Sequence, residues 1–370
     1  MTQKKIQPIP VVRASSRDYE LAALVGDDAV ILGWTMDDSL DRSDLLGFAI
    51  RRRRRDQETS EERDCHWLPS DRRFAMHGQR PDDHEATTRS DPIQQFHFLD
   101  YAIEQGNAYS YSVQAVRGTP ALRYYEPPVT VTVHLHSRWP NSSDSERAAP
   151  LTMAQDGMSP SILPFPLAEQ RVETVSRDGL ADLVSQMCDS ARSAVFLYST
   201  VALQPSVLDV VREVNSGRLL YGLVPGQDED LVDVRRAHNT VHLSQPAAGQ
   251  ALRPVTILSA AELGIQRYTS ALVTDPWSRS PGVLLWSDSP GTTPRRVIDS
   301  RLIARDKRGA ARLAVNIFQA YAAGRLPQPG PAPKTTGRRL EPDGRWSNIY
   351  FSRHAASHKY REREIFSGHP

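Results

Sequence analysis

Five arginines run without a break over residues 51–55. Guanidinium groups grip phosphate oxygens through paired hydrogen bonds, so such a run could form a strip for nucleic acid or lipid headgroups. In an extended chain neighbouring side chains leave on opposite faces, which would put Arg51, Arg53 and Arg55 on one of them. Acidic residues follow at once over 56–64. They would neutralise the strip, so a solvated hairpin end is the favoured expectation. His238 and His242, four residues apart, would share a helix face and could bind a metal. Neither a nearby cysteine nor an HExxH pattern supports that, and residues 240–244 read better as a short strand with its histidine exposed. No metal and no cofactor is expected.

The elements that would have to position a second site lie in residues 263–321. This stretch runs LGIQRYTSALVTDPW, then SPGVLLWSDSPG, then VIDSRLIARDKRGAARLAVNIFQAY. The first two pieces are apolar runs that end in turn residues, Asp275-Pro276 and Ser289-Pro290-Gly291, as buried strands do. The third is a short apolar run followed by a helix with Ala311, Ala314, Val315, Phe318 and Tyr321 on one face.

That order of strand, Asp-Pro turn, strand, strand and helix resembles the catalytic repeat of the phospholipase D superfamily. The family carries His-x-Lys-x4-Asp on the first strand, then a Gly-Ser-x-Asn turn, then Glu-Asn ahead of the last strand. Counted back from Asp275, the histidine position falls on Tyr268 and the lysine position on Ser270. The Gly-Ser-x-Asn turn falls on Trp286, Ser287, Asp288 and Ser289, and the Glu-Asn pair on Asp299 and Ser300. In the family one histidine attacks the phosphodiester, another protonates the leaving oxygen, and lysine and asparagine hold the developing charge. A tyrosine phenol titrates near pH 10 and is a poor nucleophile at neutrality. Ser270 brings no positive charge, while Asp288 and Trp286 would repel and crowd an anion. The resemblance therefore implies a degenerate site.

Around this stretch the chain reads as two units. Residues 11–136 show short alternating runs at sandwich spacing, among them residues 19–25, 29–34, 45–50, 95–99, 108–116 and 129–133. The Trp34 run and the Tyr-x-Tyr-x-Val-x-Ala run are similar to strands of a fibronectin type III domain. With the phrase GWTMDDSLDRSDLLGFAIRRR and the Phe96 to Tyr101 segment, they resemble the β-domain ahead of the catalytic repeat in a bacterial group of phospholipase D-like proteins. Residues 137–175 are Pro/Ser-rich and read as linker. Residues 176–325 begin with helix, strand, helix, strand and read as an α/β unit that corresponds to one family repeat. Residues 326–370 read as a Pro-rich linker and a tail whose aromatics staple it to the body. The expected fold class is thus multidomain, an N-terminal all-β sandwich followed by an α/β repeat.

Lysine and arginine number 45 against 44 acidic residues, which gives no global pull toward nucleic acid or membrane. No apolar run approaches a bilayer span, and the first residues lack an apolar signal region. Two cysteines, Cys65 and Cys188, fit a reducing cytoplasm. The expected function is an inactive phospholipase D-like subunit of a bacterial assembly, structural or regulatory. Its protein partner, or a second copy, would dock through the α/β unit with Trp286 as contact, the alternative being that this indole only fills its own chain's cleft. A phosphodiesterase or nuclease completed by a partner chain is one alternative. A nucleic-acid-binding module is another, not favoured by the charge balance.

Overall fold

The computed structural model describes residues 11–26, 29–56, 62–70, 72–74, 86–104, 107–135, 166–167, 172–175, 177–214, 218–226, 241–246, 252, 255–259, 265–278, 281–287, 295–299, 307–323, 339–352 and 358–368. The architecture is mixed, with several antiparallel sheets and a few helices. No helix among these residues is long and apolar enough to cross a membrane.

The first unit contains strands β1 (Val11–Ser15), β2 (Tyr19–Val25), β3 (Val30–Met36), β4 (Leu45–Asp56), β5 (Glu62–Trp67), β6 (Arg73–Phe74), β7 (His97–Asp100), β8 (Asn107–Gly118), β9 (Arg123–Tyr125) and β10 (Val129–His134). One antiparallel sheet has the order β1-β2-β3-β7; a second has the order β10-β8-β4-β5, with β9 beside β8. Their facing side chains build a shared core around Trp34, Phe48, Phe96, Tyr109 and Tyr111. Alternation explains the second sheet well, since β10 buries Val129, Val131 and Val133 and exposes the residues between. It fails for β2, whose Leu-Ala-Ala-Leu-Val run is buried on both faces. Leu21, Ala23 and Val25 enter the sandwich core, while Leu24 joins a different one.

That other core joins this unit to the second. The strands of the second unit are β11 (Pro166–Leu167), β12 (Val172–Val175), β13 (Ala194–Ser199), β14 (Leu219–Leu223), β15 (Val241–Ser244), β16 (Val255–Ser259), β17 (Ile265–Tyr268), β18 (Ser270–Thr274), β19 (Gly282–Trp286) and β20 (Arg295–Asp299). Seven of them form a sheet of order β12-β20-β19-β18-β13-β14-β15, parallel across β13-β14-β15 and antiparallel elsewhere. A separate sheet has the order β11-β16-β17. Helices Arg177–Ser190 and Pro205–Arg212 cover one face through Leu180, Val184, Val207 and Val211. Helix Lys307–Ala323 covers the other through Ala314, Val315, Phe318 and Tyr321. Two stretches expected as linker are therefore strands: Pro166–Leu167 and Val172–Val175 pair with β16 and β20. Four residues show too little period to stand out beside a Pro/Ser-rich run.

The residues after 338 do more than staple a tail. Strand β21 (Arg339–Leu340) pairs with β6, and Trp346 and Tyr350 enter the sandwich core. Helix Lys359–Phe366 inserts Ile365 and Phe366 into the core between the units. Gly33 of β3 lies so close to this helix that a Cβ there would sit 1.9 Å from the Phe366 carbonyl oxygen.

His97 stacks on Phe366 with ring centroids 4.5 Å apart, and its Nδ1 has no hydrogen-bond partner among the described residues. Burial drives its imidazole down to about 4. Nearby Glu362 accepts the Tyr221 hydroxyl at 3.0 Å. Burial pushes the Glu362 carboxyl up, but the positive charges of protonated His97 and of Lys359 outweigh it and hold it at about 2. Between pH 6.5 and 4 the unfolded chain binds a proton at His97 that the folded chain does not. Acid therefore favours unfolding in that window, by up to about 1.4 kcal/mol per pH unit. Glu362, depressed in the fold, adds a further loss from about pH 4.5 down to 2. Urea midpoints measured from pH 7.5 to 4 should fall steadily, and His97→Phe should flatten the upper part of that curve.

Candidate functional site

The segment that resembles the catalytic strand is broken where the motif would need it whole. Thr269 interrupts it, so Tyr268 ends β17 in the small sheet and Ser270 starts β18 in the large one. Tyr268 pairs with Val255 and is buried in the core beside helix Lys307–Ala323. Ser270 lies between Ser199 and Trp286 in register, and its hydroxyl shares a 2.8 Å hydrogen bond with that of Ser199. Ser199 Oγ in turn meets the Val201 carbonyl at 2.7 Å. The two serines satisfy each other and the backbone, as buried hydroxyls must.

Asp275 has a structural task. It adopts a left-handed backbone with φ 44° and folds its carboxylate back onto the start of β13. The carboxylate accepts from Arg192 N at 2.7 Å, Ser193 N at 2.9 Å, Ser193 Oγ at 2.8 Å and Ala194 N at 3.1 Å. It caps the end of one strand and the beginning of its neighbour. Ser270 and Asp275 stand at opposite ends of β18, roughly 17 Å apart at about 3.4 Å per residue.

Trp286 was expected as a contact on an old site mouth. It is instead 0% exposed, packed with Leu197, Leu220, Leu272 and Leu284 under the two N-terminal helices of the unit. The contact reading of Trp286 is thereby overturned: a strand flanked on both faces leaves its indole no route to a partner. Ser287 is half-buried just beyond it. Asp299 ends β20 in register with Leu284, two residues away from Trp286 along β19. Ser289 lies outside the described residues. Among the described residues, Tyr268, Ser270, Asp275 and Trp286 do not converge on an open cleft. Other candidates fare no better, since burial pushes the Cys188 thiol up to about 12, far from a reactive thiolate. Among the described residues no group of three His, Cys, Asp or Glu side chains could hold a metal ion. His242 is not exposed as expected: it stacks on Tyr221 at 5.0 Å and meets His358 edge-on at 4.3 Å. His238 lies outside the described residues.

The arginine run is different. Residues 51–55 belong to β4, a strand longer than its apolar part, and parity divides them. Arg52 is buried, with Nη1 donating to both oxygens of Asp100 at 3.0 and 2.9 Å and to the Ala102 carbonyl at 2.6 Å. Tyr111 donates to the same carboxylate at 2.8 Å. Arg54 pairs with Glu104. Asp100 and Glu104 thus add counter-ions from across the sheet, beside Glu62 and Asp64, which stand in register opposite Arg55 and Arg54.

Arg51, Arg53 and Arg55, together with Arg54, line a cleft of about 540 Å³. Arg89, Trp67, Tyr125, Ser110, Ser112, Gln114 and Thr130 complete most of its wall. Register explains the wall, because β5 sets Trp67 opposite Arg51 and Cys65 opposite Arg53. Arg51 Nε meets Cys65 Sγ at 3.0 Å. Hydroxyl pairs Ser110–Thr132 and Ser112–Thr130, each at 2.8 Å, tie β8 to β10 along the floor. The Arg89 guanidinium sits 5.4 Å from the Trp67 ring and 5.7 Å from the Tyr125 ring. Reasoning from sequence missed Arg89, Trp67 and Tyr125, because β5 was not recognised; its Cys65-His66-Trp67 alternation was the available signal.

No family model matches the chain, and no curated protein matches it either. A similar solved structure is a polyphosphate kinase from Porphyromonas gingivalis, 13% identical over 78% of this chain and 51% of that one, with a TM-score of 0.27. The chain spans about half the length of that protein, and a TM-score of this size carries no argument about fold or function.

Proposed function

We propose that this protein is a catalytically inactive phospholipase D-like chain, with a fibronectin III-like first unit, that serves as a structural or regulatory subunit of a larger assembly. One observation carries the reading. The positions that would hold the nucleophile, the phosphate clamp and the open backbone turn are occupied by Tyr268, Ser270 and Trp286, all buried within the chain's own cores. A phosphodiester cannot reach groups that have no access to solvent. The order of β13 and β14 with a helix between them, then β18, β19 and β20, then helix Lys307–Ala323 supports the family assignment.

Purified protein should therefore not hydrolyse bis-p-nitrophenyl phosphate, phospholipid or DNA, with or without divalent metal. Tyr268→His with Ser270→Lys should leave it inactive, because residues of one site act as a unit and the cleft itself is filled. Turnover by the native chain that Tyr268→Phe abolishes would overturn the reading, as would turnover gained by the double variant.

A further inference from the structure

We propose that helix Lys359–Phe366 is a proton-sensitive strap across the joint between the two units, one that lifts in mild acid while both units stay folded. The inference does not depend on the second unit being inactive.

Three parts of the chain meet at one cluster of titratable groups. Strand β7 of the sandwich brings His97, β14 of the second unit brings Tyr221, and the helix brings Lys359 and Glu362. Glu362 is buried; its Oε1 accepts the Tyr221 hydroxyl at 3.0 Å and its Oε2 pairs with Lys359. His97 is half-buried, stacked on Phe366 and edge-on to Phe318, with ring centroids 4.5 and 6.0 Å away. Its Nδ1 is closed off from solvent and has no hydrogen-bond partner among the described residues. His358 meets His242 at the start of the helix, and His242 lies on the Tyr221 ring. Tyr321 and Tyr350 complete the surroundings of the Tyr221 hydroxyl.

A proton on His97 is poorly accommodated in this packing. The charge would sit between two phenyl rings and near the Lys359 ammonium, while both oxygens of Glu362 already have partners. Burial holds the closed imidazole at about 4, against about 6.5 once water reaches the ring. Lifting the helix takes Phe366 off one face of it. Below pH 6.5 the open form binds a proton that the closed form does not. The advantage of the closed form is therefore present above 6.5 and is lost as pH falls toward 4. Glu362, held low in the closed form, adds to the loss only below about 4.5.

The helix is the part able to move alone. Eight residues do not hold a helix in water without tertiary contacts. Its anchors are Ile365 and Phe366 in the shared core, and Arg363, which donates to Asp38 at 2.9 Å and lies 3.9 Å over the Phe351 ring. Just beyond it, Arg13 donates to the Gly368 carbonyl at 2.6 Å. The strands beneath keep their own ladders, β3 between β2 and β7, and β14 between β13 and β15. Segments of this kind near a chain end open at a lower cost than global unfolding.

The test is hydrogen exchange of the full chain at pH 7.5 and 5.0, with the intrinsic pH effect on amide exchange divided out. Amides of residues 359–366 should open more readily than those of β8 at both pH values. Their opening constant should rise roughly 30-fold between the two, as a proton site at about 6.5 in the open form and about 4 in the closed form requires. His97→Phe, which keeps a ring on Phe366, should cut that rise to less than about threefold. His97→Gln should do the same and keeps the reading if phenylalanine disturbs the packing. His358→Gln and His242→Gln should each leave the rise above about tenfold. A helix that opens only together with β8 would overturn the proposal, as would an opening constant unchanged at pH 5.0. So would a rise that survives both His97 variants, or one that either of the other two histidine variants abolishes.

Discussion

Asp275→Ala should cost about 3–5 kcal/mol, because it strips a buried carboxylate from four donors. Arg192 N, Ser193 N, Ser193 Oγ and Ala194 N all point at it, and Ser193 and Ala194 are buried. The left-handed backbone at this position adds strain for alanine, which asparagine tolerates better. Asp275→Asn keeps one acceptor oxygen and should recover more than half of the loss. Against a typical stability of about 5–15 kcal/mol, the alanine variant should unfold at much lower urea. A residue with a catalytic task would behave otherwise, with an intact melt and altered chemistry. A native urea midpoint for Asp275→Ala would refute the capping role.

Gly33→Ala should be comparably severe for a different reason. The added methyl would lie 1.9 Å from the carbonyl oxygen of Phe366 and 2.2 Å from its carbonyl carbon. Those are backbone atoms of helix Lys359–Phe366, so no side-chain rotation relieves the clash. Either the helix moves away or β3 bends, and β3 is fixed on both sides by β2 and β7. We expect the helix to lift, uncovering Tyr221, Phe318 and Ile31, at a cost of about 2–4 kcal/mol in lost apolar burial. Proteolysis should then cleave within residues 358–368 while the sandwich stays protected. Equal protection of that helix in variant and parent would show that the close approach does not hold it.

Much of this arrangement was legible in the residues. Valines in alternation mark β10, the Tyr-x-Tyr-x-Val run marks β8, and the apolar spacing after residue 307 marks the long helix on its correct face. What could not be read is which face a fully apolar strand turns to which neighbour. In β2 both faces are covered, and sequence period has nothing to distinguish them. Sheet exchange at Thr269 was equally hidden, since no glycine, proline or other turn residue separates Tyr268 from Ser270. The Trp286 expectation failed for the same reason. A tryptophan in an apolar run marks either a surface or a filled interior, and only the helices Arg177–Ser190 and Pro205–Arg212 decide which. The arginine strip was seen, but the counter-ions Asp100 and Glu104, distant in sequence from it, were not.

The aromatic residues near the end of the chain also bear on how it is made. Trp346 donates its indole hydrogen to the Leu45 carbonyl at 2.8 Å, across 301 residues of sequence, and Arg363 reaches Asp38 across 325. During synthesis the first sandwich strands leave the ribosome long before Trp346, Tyr350 and Phe366 exist. Until then Phe96, Phe48 and the outer side of β3 lack their covers, and apolar surface stays open to other nascent chains. Contacts so distant in sequence also slow folding, because a long loop must close before they form. The nascent first unit is thus a natural client for a chaperone, held open until the last helix arrives to seal it.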